Sequence, residues 1–223
     1  GDFNIGYVKQ NDGYNLDMKM IDYIRSSFKD ILDIEKNLNT LEDEMSTHYD
    51  EKIVSKYNDL LSRYEYMGGY KYKKEIEVIL NKFDFSDNDK DKYLNEFSGG
   101  QLTKLSLIRL LLSKPDLLIL DEPTNHLDIK AIEWLEDYLK GYKGSIILVS
   151  HDRMFLDNVC NVIYDIEYGT LTRYSGNYSY FVKKKEEDYI RNLKDYERQQ
   201  QEIKRLQDIA DRFRYKPTKA RMA

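Results

Sequence analysis

The chain has 223 residues, 41% apolar and 34% charged, with a formal net charge of −5, a length that predicts one domain plus an appendage. No apolar run approaches membrane-span length and no signal-peptide pattern opens it, so a cytoplasmic location without membrane contact is expected. Cys160 is the only cysteine, which excludes an intramolecular disulfide and suits a small apolar packing role.

Taken in order, Phe3, Ile5 and Tyr7 alternate with polar or small residues, which predicts a strand ending near Gln10. Ile31, Ile34, Leu38, Leu41 and Met45 then repeat at helical spacing. After a polar break over 46–50, Ile53, Tyr57, Leu60, Tyr64 and Met67 do the same. Two such stripes predict an antiparallel helical hairpin with arms of about 20–25 Å. Gly68-Gly69 should end the second arm, since glycine supplies the left-handed cap. A further amphipathic helix carries Ile76, Ile79, Leu80 and Phe83.

The run Phe97-Ser98-Gly99-Gly100-Gln101 follows. Ser98 is a good N-cap, and two glycines after it let backbone N–H groups approach a phosphate closely. A helix is expected over 101–113, stopped by Pro115. Leu117-Leu118-Ile119-Leu120 predicts a buried strand delivering Asp121 and Glu122 to its end. One carboxylate can hold a magnesium shell, and the next can orient or deprotonate water. Pro123-Thr124-Asn125-His126-Leu127-Asp128 leads into a helix near 129–139 that carries Trp134. Gly141 and Gly144 bracket the turn into a second apolar strand, Ser145-Ile146-Ile147-Leu148-Val149, which places His151 at a strand end. In open α/β sheets ligands bind at that edge.

Segments 162–165 and 171–174 flank Tyr168-Gly169 and predict a β-hairpin. After Tyr174-Ser175-Gly176-Asn177-Tyr178 the character changes. From Tyr180 to about Phe213 there is no Gly or Pro, and Ile190, Leu193, Ile203, Leu206, Ala210 and Phe213 form a thin stripe. One helix of roughly 50 Å is expected, needing a partner helix to cover it. Residues 183–223 hold thirteen basic and eight acidic side chains, a net +5 against −10 for the rest. Such a segment suits an anionic partner.

The Ser98-Gly99-Gly100-Gln101 run, the Asp121-Glu122 strand with its Pro123-to-Asp128 tail, and Ser150-His151-Asp152-Arg153 resemble the signature motif, Walker B with D-loop, and switch histidine of an ATP-binding cassette ATPase. Within that family three features resemble the ABC-F branch, cytosolic ATPases that act on ribosomes. Glu122-Pro123-Thr124-Asn125-His126-Leu127-Asp128 has that branch's form. The 88 positions from Gln10 to Ser98 make room for its inserted arm. The Tyr-Ser-Gly-Asn-Tyr run feeding a charged helix is similar to its interdomain linker. Phe97 stands where Leu is commoner.

The resemblance implies a partial P-loop-NTPase α/β sheet with a helical subdomain and an inserted hairpin, followed by a long helical linker. Residues 1–176 would be the rear of cassette one, with the hairpin near 31–67 and the signature subdomain near 70–114. Residues 177–223 would begin the linker. ATP and Mg²⁺ are the implied ligands. Ser98, Gly99, Gly100, Gln101 and Asp128 would contact nucleotide, the signature residues serving the site of a second cassette in the same polypeptide. Gln10 and Asp121 would support magnesium, Glu122 would activate water with Gln10 beside it, and His151 would sense the γ-phosphate. The basic run Arg212, Arg214, Lys216, Lys219 and Arg221, with Phe213 and Tyr215 interleaved, would meet ribosomal RNA.

No Gly-x-x-x-x-Gly-Lys-Ser/Thr run occurs in the chain, and it opens on Gly1-Asp2-Phe3. The expectation is therefore a piece that follows the P-loop of a longer protein, inactive alone and prone to self-association. The alternatives are the ATP-binding subunit of a membrane transporter, against which the hairpin and linker argue, and a coiled-coil protein with a decayed cassette, against which the intact Asp121, Glu122 and His151 argue.

Overall fold

The structure, a computed structural model, describes residues 3–8, 15–47 and 50–214. Gln10 lies outside the described residues, as do Tyr215, Lys216, Lys219 and Arg221. The chain forms two compact units, residues 1–155 and 156–223.

In the first unit β1 (Ile5–Tyr7), β2 (Leu117–Asp121) and β3 (Ser145–Val149) form a parallel sheet in that order. Ile5 pairs with Leu117, which pairs with Ser145, so side chains alternate in register across all three strands. Gly6, Leu118 and Leu120 face inward and are buried. A side chain at Gly6 would collide with Leu110 and Pro115, so the lack of one lets α5 (Gly99–Ser113) lie against β1. The other face carries Ile5, Tyr7, Ile147 and Val149, all exposed.

The strand expected to reach Gln10 is only three residues long among the described residues. Two short helices were not predicted, α1 (Met20–Arg25), which buries Met20, Tyr23 and Ile24, and α7 (Arg153–Val159), which buries Phe155. α5 begins at Gly99, two residues earlier than expected, because Ser98 caps it.

The helical hairpin forms as its stripes predict, from α2 (Lys29–Thr47) and α3 (Glu51–Tyr66). Ile31, Ile34 and Tyr64 are buried at its base and Leu38 and Leu41 further along α2, while Met45, Ile53 and Tyr57 toward the tip are half-buried. Two helices alone cover each other only along one seam. Near the tip the Tyr57 hydroxyl donates to Glu42 Oε1 at 2.7 Å, a polar crosslink where apolar cover thins. Gly68 has φ +79, the left-handed cap expected of it, and a side chain at Gly69 would strike the Tyr64 ring.

Glu35 fastens the hairpin base to α4 (Tyr72–Lys82). Its oxygens accept from the Tyr64 hydroxyl at 2.6 Å and the Tyr72 hydroxyl at 2.9 Å, and Lys73 Nζ lies 3.4 Å away. Burial pushes the Glu35 carboxyl up, but the two phenols and the lysine outweigh it and hold it below its ordinary value. Burial, then the bond to Glu35, raises Tyr72 to about 12. Glu35→Ala leaves two phenols without their acceptor and is expected to cost about 1–3 kcal/mol in urea denaturation. A depressed folded pKa means Glu35 stabilises above its unfolded value. That contribution should fade as pH falls through 4.5 and below. An acid limb unchanged in Glu35→Ala would remove Glu35 from this role.

In the second unit β4 (Val162–Glu167) and β5 (Thr170–Ser175) pair antiparallel. Their two-residue turn has φ +49 at Tyr168 and +75 at Gly169, the sense that matches strand twist. Cys160 is half-buried, and burial pushes its thiol up. α8 (Tyr178–Arg214) is one helix of 37 residues, as predicted, beginning two residues early. Asn177 Oδ1 accepts from Tyr180 N–H at 3.1 Å, and Asp157 Oδ1 from Ser179 N–H at 2.6 Å. Lys185 Nζ bridges Asp165 at 2.7 Å and Glu167 at 2.6 Å, and the Tyr174 and Phe181 rings meet at 5.1 Å. Its first two turns are thereby tied to the hairpin. Further along, Ile190, Leu193, Ile203 and Leu206 are exposed, leaving their stripe uncovered. No helix of the described residues is long and apolar enough to cross a membrane.

Candidate functional site

The C-terminal edge of the sheet gathers the acidic residues. β2 ends in exposed Asp121, and Glu122 follows with φ +48. A left-handed glutamate costs about 1–2 kcal/mol, so its surroundings must hold it. Its N–H donates to the Val149 carbonyl at 2.8 Å, extending the ladder to β3. This turn directs the carboxylate across the edge. Oε2 accepts from the His151 N–H at 3.3 Å, and His151 Nε2 stands 3.7 Å from Oε1. Oε1 is buried and has no hydrogen-bond partner among the described residues. An unmet carboxylate oxygen is costly, and it fits a proton donor supplied from outside, such as water. The imidazole of His151 is 98% exposed and can reach a ligand. Lys104 and Leu107 of α5 line one small cleft with Val8, Asp121, Glu122 and Asn125.

The glycine pair opens α5. Ser98 Oγ accepts from Gln101 N–H at 3.3 Å, and Gln101 Oε1 accepts from Ser98 N–H at 2.9 Å, a reciprocal cap. Gln101 thus holds the helix start in shape. Gly99 and Gly100 occupy the first turn, where N–H groups have no intrahelical acceptor. Neither has positive φ. A side chain at Gly99 would meet nothing, and one at Gly100 only the His126 ring at 3.5 Å. Glycine there costs about 1 kcal/mol relative to alanine, and local packing does not require it. What it provides is open access to the backbone of a helix N-terminus, where anions are favoured.

Asp128 has a local task. It caps α6 (Ile129–Lys140), its Oδ1 accepting from Ala131 N–H at 2.7 Å. That bond, then one shared with Asp84, holds Asp128 below the ordinary carboxylate range, while Asp84 is pushed up chiefly by its bond to Asp128. Sequence reasoning gave no role to Asp84 or to His126. His126, at φ +65 beside Gly100, brings the segment after Glu122 to the start of α5. A positive φ at a histidine between Asn125 and Leu127 leaves no period in the sequence.

A parallel sheet with acids on its C-terminal edge, beside a capped glycine-led helix, is the build of a nucleotide-binding α/β domain. Two family models described as ABC transporter match residues 4–125 and 164–223, and the chain belongs to this family through its ATP-binding domain. It is 48% identical over 162 residues to the putative ATP-binding protein YdiF of Bacillus subtilis, covering 73% of this chain and 25% of YdiF. It is 34% identical over 187 residues to the ATP-binding protein Uup of Haemophilus influenzae, covering 84% of this chain and 28% of Uup. The chain therefore spans about a quarter of the length of these relatives. A solved structure described as the ATP binding subunit of an ABC transporter superposes with TM-score 0.52 at 16% identity, over 77% of this chain and 59% of that one. That likeness establishes the mixed α/β cassette fold.

Proposed function

We propose that these residues belong to a cytoplasmic ABC-F type ATPase that acts on the ribosome, with 1–176 the rear of its first cassette and 177–223 the start of its linker. The carrying observation is the Glu122 carboxylate, which offers a buried, unpartnered Oε1 while His151 N–H holds Oε2. That arrangement suits a base that takes a proton from, or orients, a water attacking the γ-phosphate. Asp121, exposed at the strand end, and Gln10 would hold the water shell of a magnesium ion, which on a nucleotide needs only one or two carboxylates. When bound, magnesium neutralises phosphate charge. His151 contacts the γ-phosphate in this reading. Ser98, Gly99, Gly100, Gln101 and Asp128 face the nucleotide held by a second cassette of the same polypeptide. The P-loop motif is not in these 223 residues, so on this reading they alone neither bind ATP tightly nor hydrolyse it.

The α2–α3 hairpin and α8 favour this reading over a transporter subunit, since both are elements beyond those a bare cassette needs. The experiment is ribosome co-sedimentation of the full-length protein across a salt series, with and without ATP. Neutralising Arg212, Arg214, Lys216, Lys219 and Arg221 together should weaken association and flatten its salt dependence, each lost phosphate contact lowering the slope by about 0.7–0.9. Basal ATPase should persist. Unchanged association in the variant would return the basic run to a spacer.

The exposed face bearing Ile5, Tyr7, Ile147 and Val149, with the α8 stripe, also supports self-association of the 223-residue chain. Light scattering should show mass rising with concentration. A clean monomer throughout the micromolar range would refute it.

A further inference from the structure

A groove of about 530 Å³ lies between α4, the end of α5 and α6, away from the Glu122 cleft. Its floor is apolar, with Val78 46% exposed and Ile79, Leu111 and Leu112 buried beneath. Trp134 and Tyr138 line the α6 side, one helical turn apart and stacked at 5.2 Å. The Phe83 ring supports Trp134 edge-on at 5.6 Å. The Tyr138 hydroxyl donates to the Leu111 carbonyl at 2.7 Å, so on this wall Tyr138 presents its ring rather than a free hydroxyl.

The rim is basic. Lys114 is paired with Glu75 at 2.7 Å, whereas Lys71 and Lys74 have no ion pair among the described residues. Lys71 is the N-cap of α4 and Lys74 sits in its first turn, where the helix dipole already favours anions. Unpaired cations there raise the positive field over an apolar trough. We propose that this groove docks an acidic amphipathic helix of a protein partner, its apolar residues on Val78, Trp134 and Tyr138 and its carboxylates on Lys71 and Lys74. Helix-in-groove recognition uses apolar anchors one turn apart, matching the Trp134–Tyr138 spacing. A large aromatic in a partly desolvated trough is the commonest energetic anchor of an interface. An aliphatic floor is poor ground for nucleic acid, whose complexes are wetter and more polar.

Trp134 is the only tryptophan of the 223 residues, so its emission reports occupancy. The probe is a synthetic leucine–glutamate amphipathic helix, compared with its leucine–lysine counterpart and with a single-stranded RNA oligonucleotide. The expected result is a saturable blue shift with the glutamate peptide only. Val78→Asp, at an exposed position that leaves the core intact, and Lys71→Glu with Lys74→Glu should each weaken it about tenfold or more, the scale of a lost interface anchor. Circular dichroism confirms that the variants remain folded. Equal binding of both peptides, preference for RNA, binding that survives both variants, or no binding each overturns the proposal.

Discussion

Glu122→Gln in the full-length protein is expected to slow ATP hydrolysis by about 10²–10⁴-fold while nucleotide binding persists. Glutamine preserves length, and its amide oxygen can still accept from the His151 N–H that now meets Oε2 at 3.3 Å. The left-handed turn is set by the backbone bond to Val149 and survives the change. What disappears is the basicity of the buried, unpartnered oxygen. Single-turnover hydrolysis beside equilibrium binding of a fluorescent nucleotide separates the two effects. Turnover within a few-fold of wild type would show that this carboxylate is not the base.

Gly99→Asp tests the other half of the site, with stability and activity moving in opposite directions. A side chain at Gly99 meets no atom of the fold, and its φ is ordinary. A carboxylate in the first turn of α5 interacts favourably with the helix dipole, by about 0.3–1 kcal/mol. The melting temperature should therefore hold or rise. A phosphate brought to the same turn meets that negative charge, and hydrolysis is expected to fall about 10²-fold or more, the scale of a lost oxyanion contact. A glycine conserving only local backbone shape would instead lose stability, and a variant with full activity would remove Gly99 from nucleotide contact.

The elements that periodicity made legible are those with repeated apolar steps. Ile31 to Leu41, Ile76 to Phe83 and the stripe of α8 each repeat often enough to define a face. α1 and α7, of six and seven residues, complete fewer than two turns, so Met20, Tyr23 and Phe155 gave no period to read. Ser98 was legible because a cap is a local signal. The edge position of Asp121 and His151 followed from the apolar runs before them. The left-handed backbone of Glu122 was not legible, because it depends on β3 arriving beside β2. Nor was the link from Glu35 to Tyr64 and Tyr72, 29 and 37 residues away, whose partners only the folded hairpin identifies. The Asp84–Asp128 pair was hidden for the same reason. No α/β pattern foretold the groove beside Trp134, since it arises from the spacing of three helices.

The bond from Glu122 N–H to the Val149 carbonyl has a consequence for the order of folding. α5 can cap itself through Ser98 and Gln101, three residues apart, before the crossover through α6 is complete. Glu122 acquires its left-handed turn only when β3 docks alongside, because that carbonyl is its backbone tether. Docking a parallel neighbour across an intervening helix is a slow, non-local event. The N-terminus of α5 therefore matures early on the folding route, and the Glu122 carboxylate is aimed late. A nascent chain at that stage would hold a finished helix start at Gly99 while Glu122 still lacked its tether.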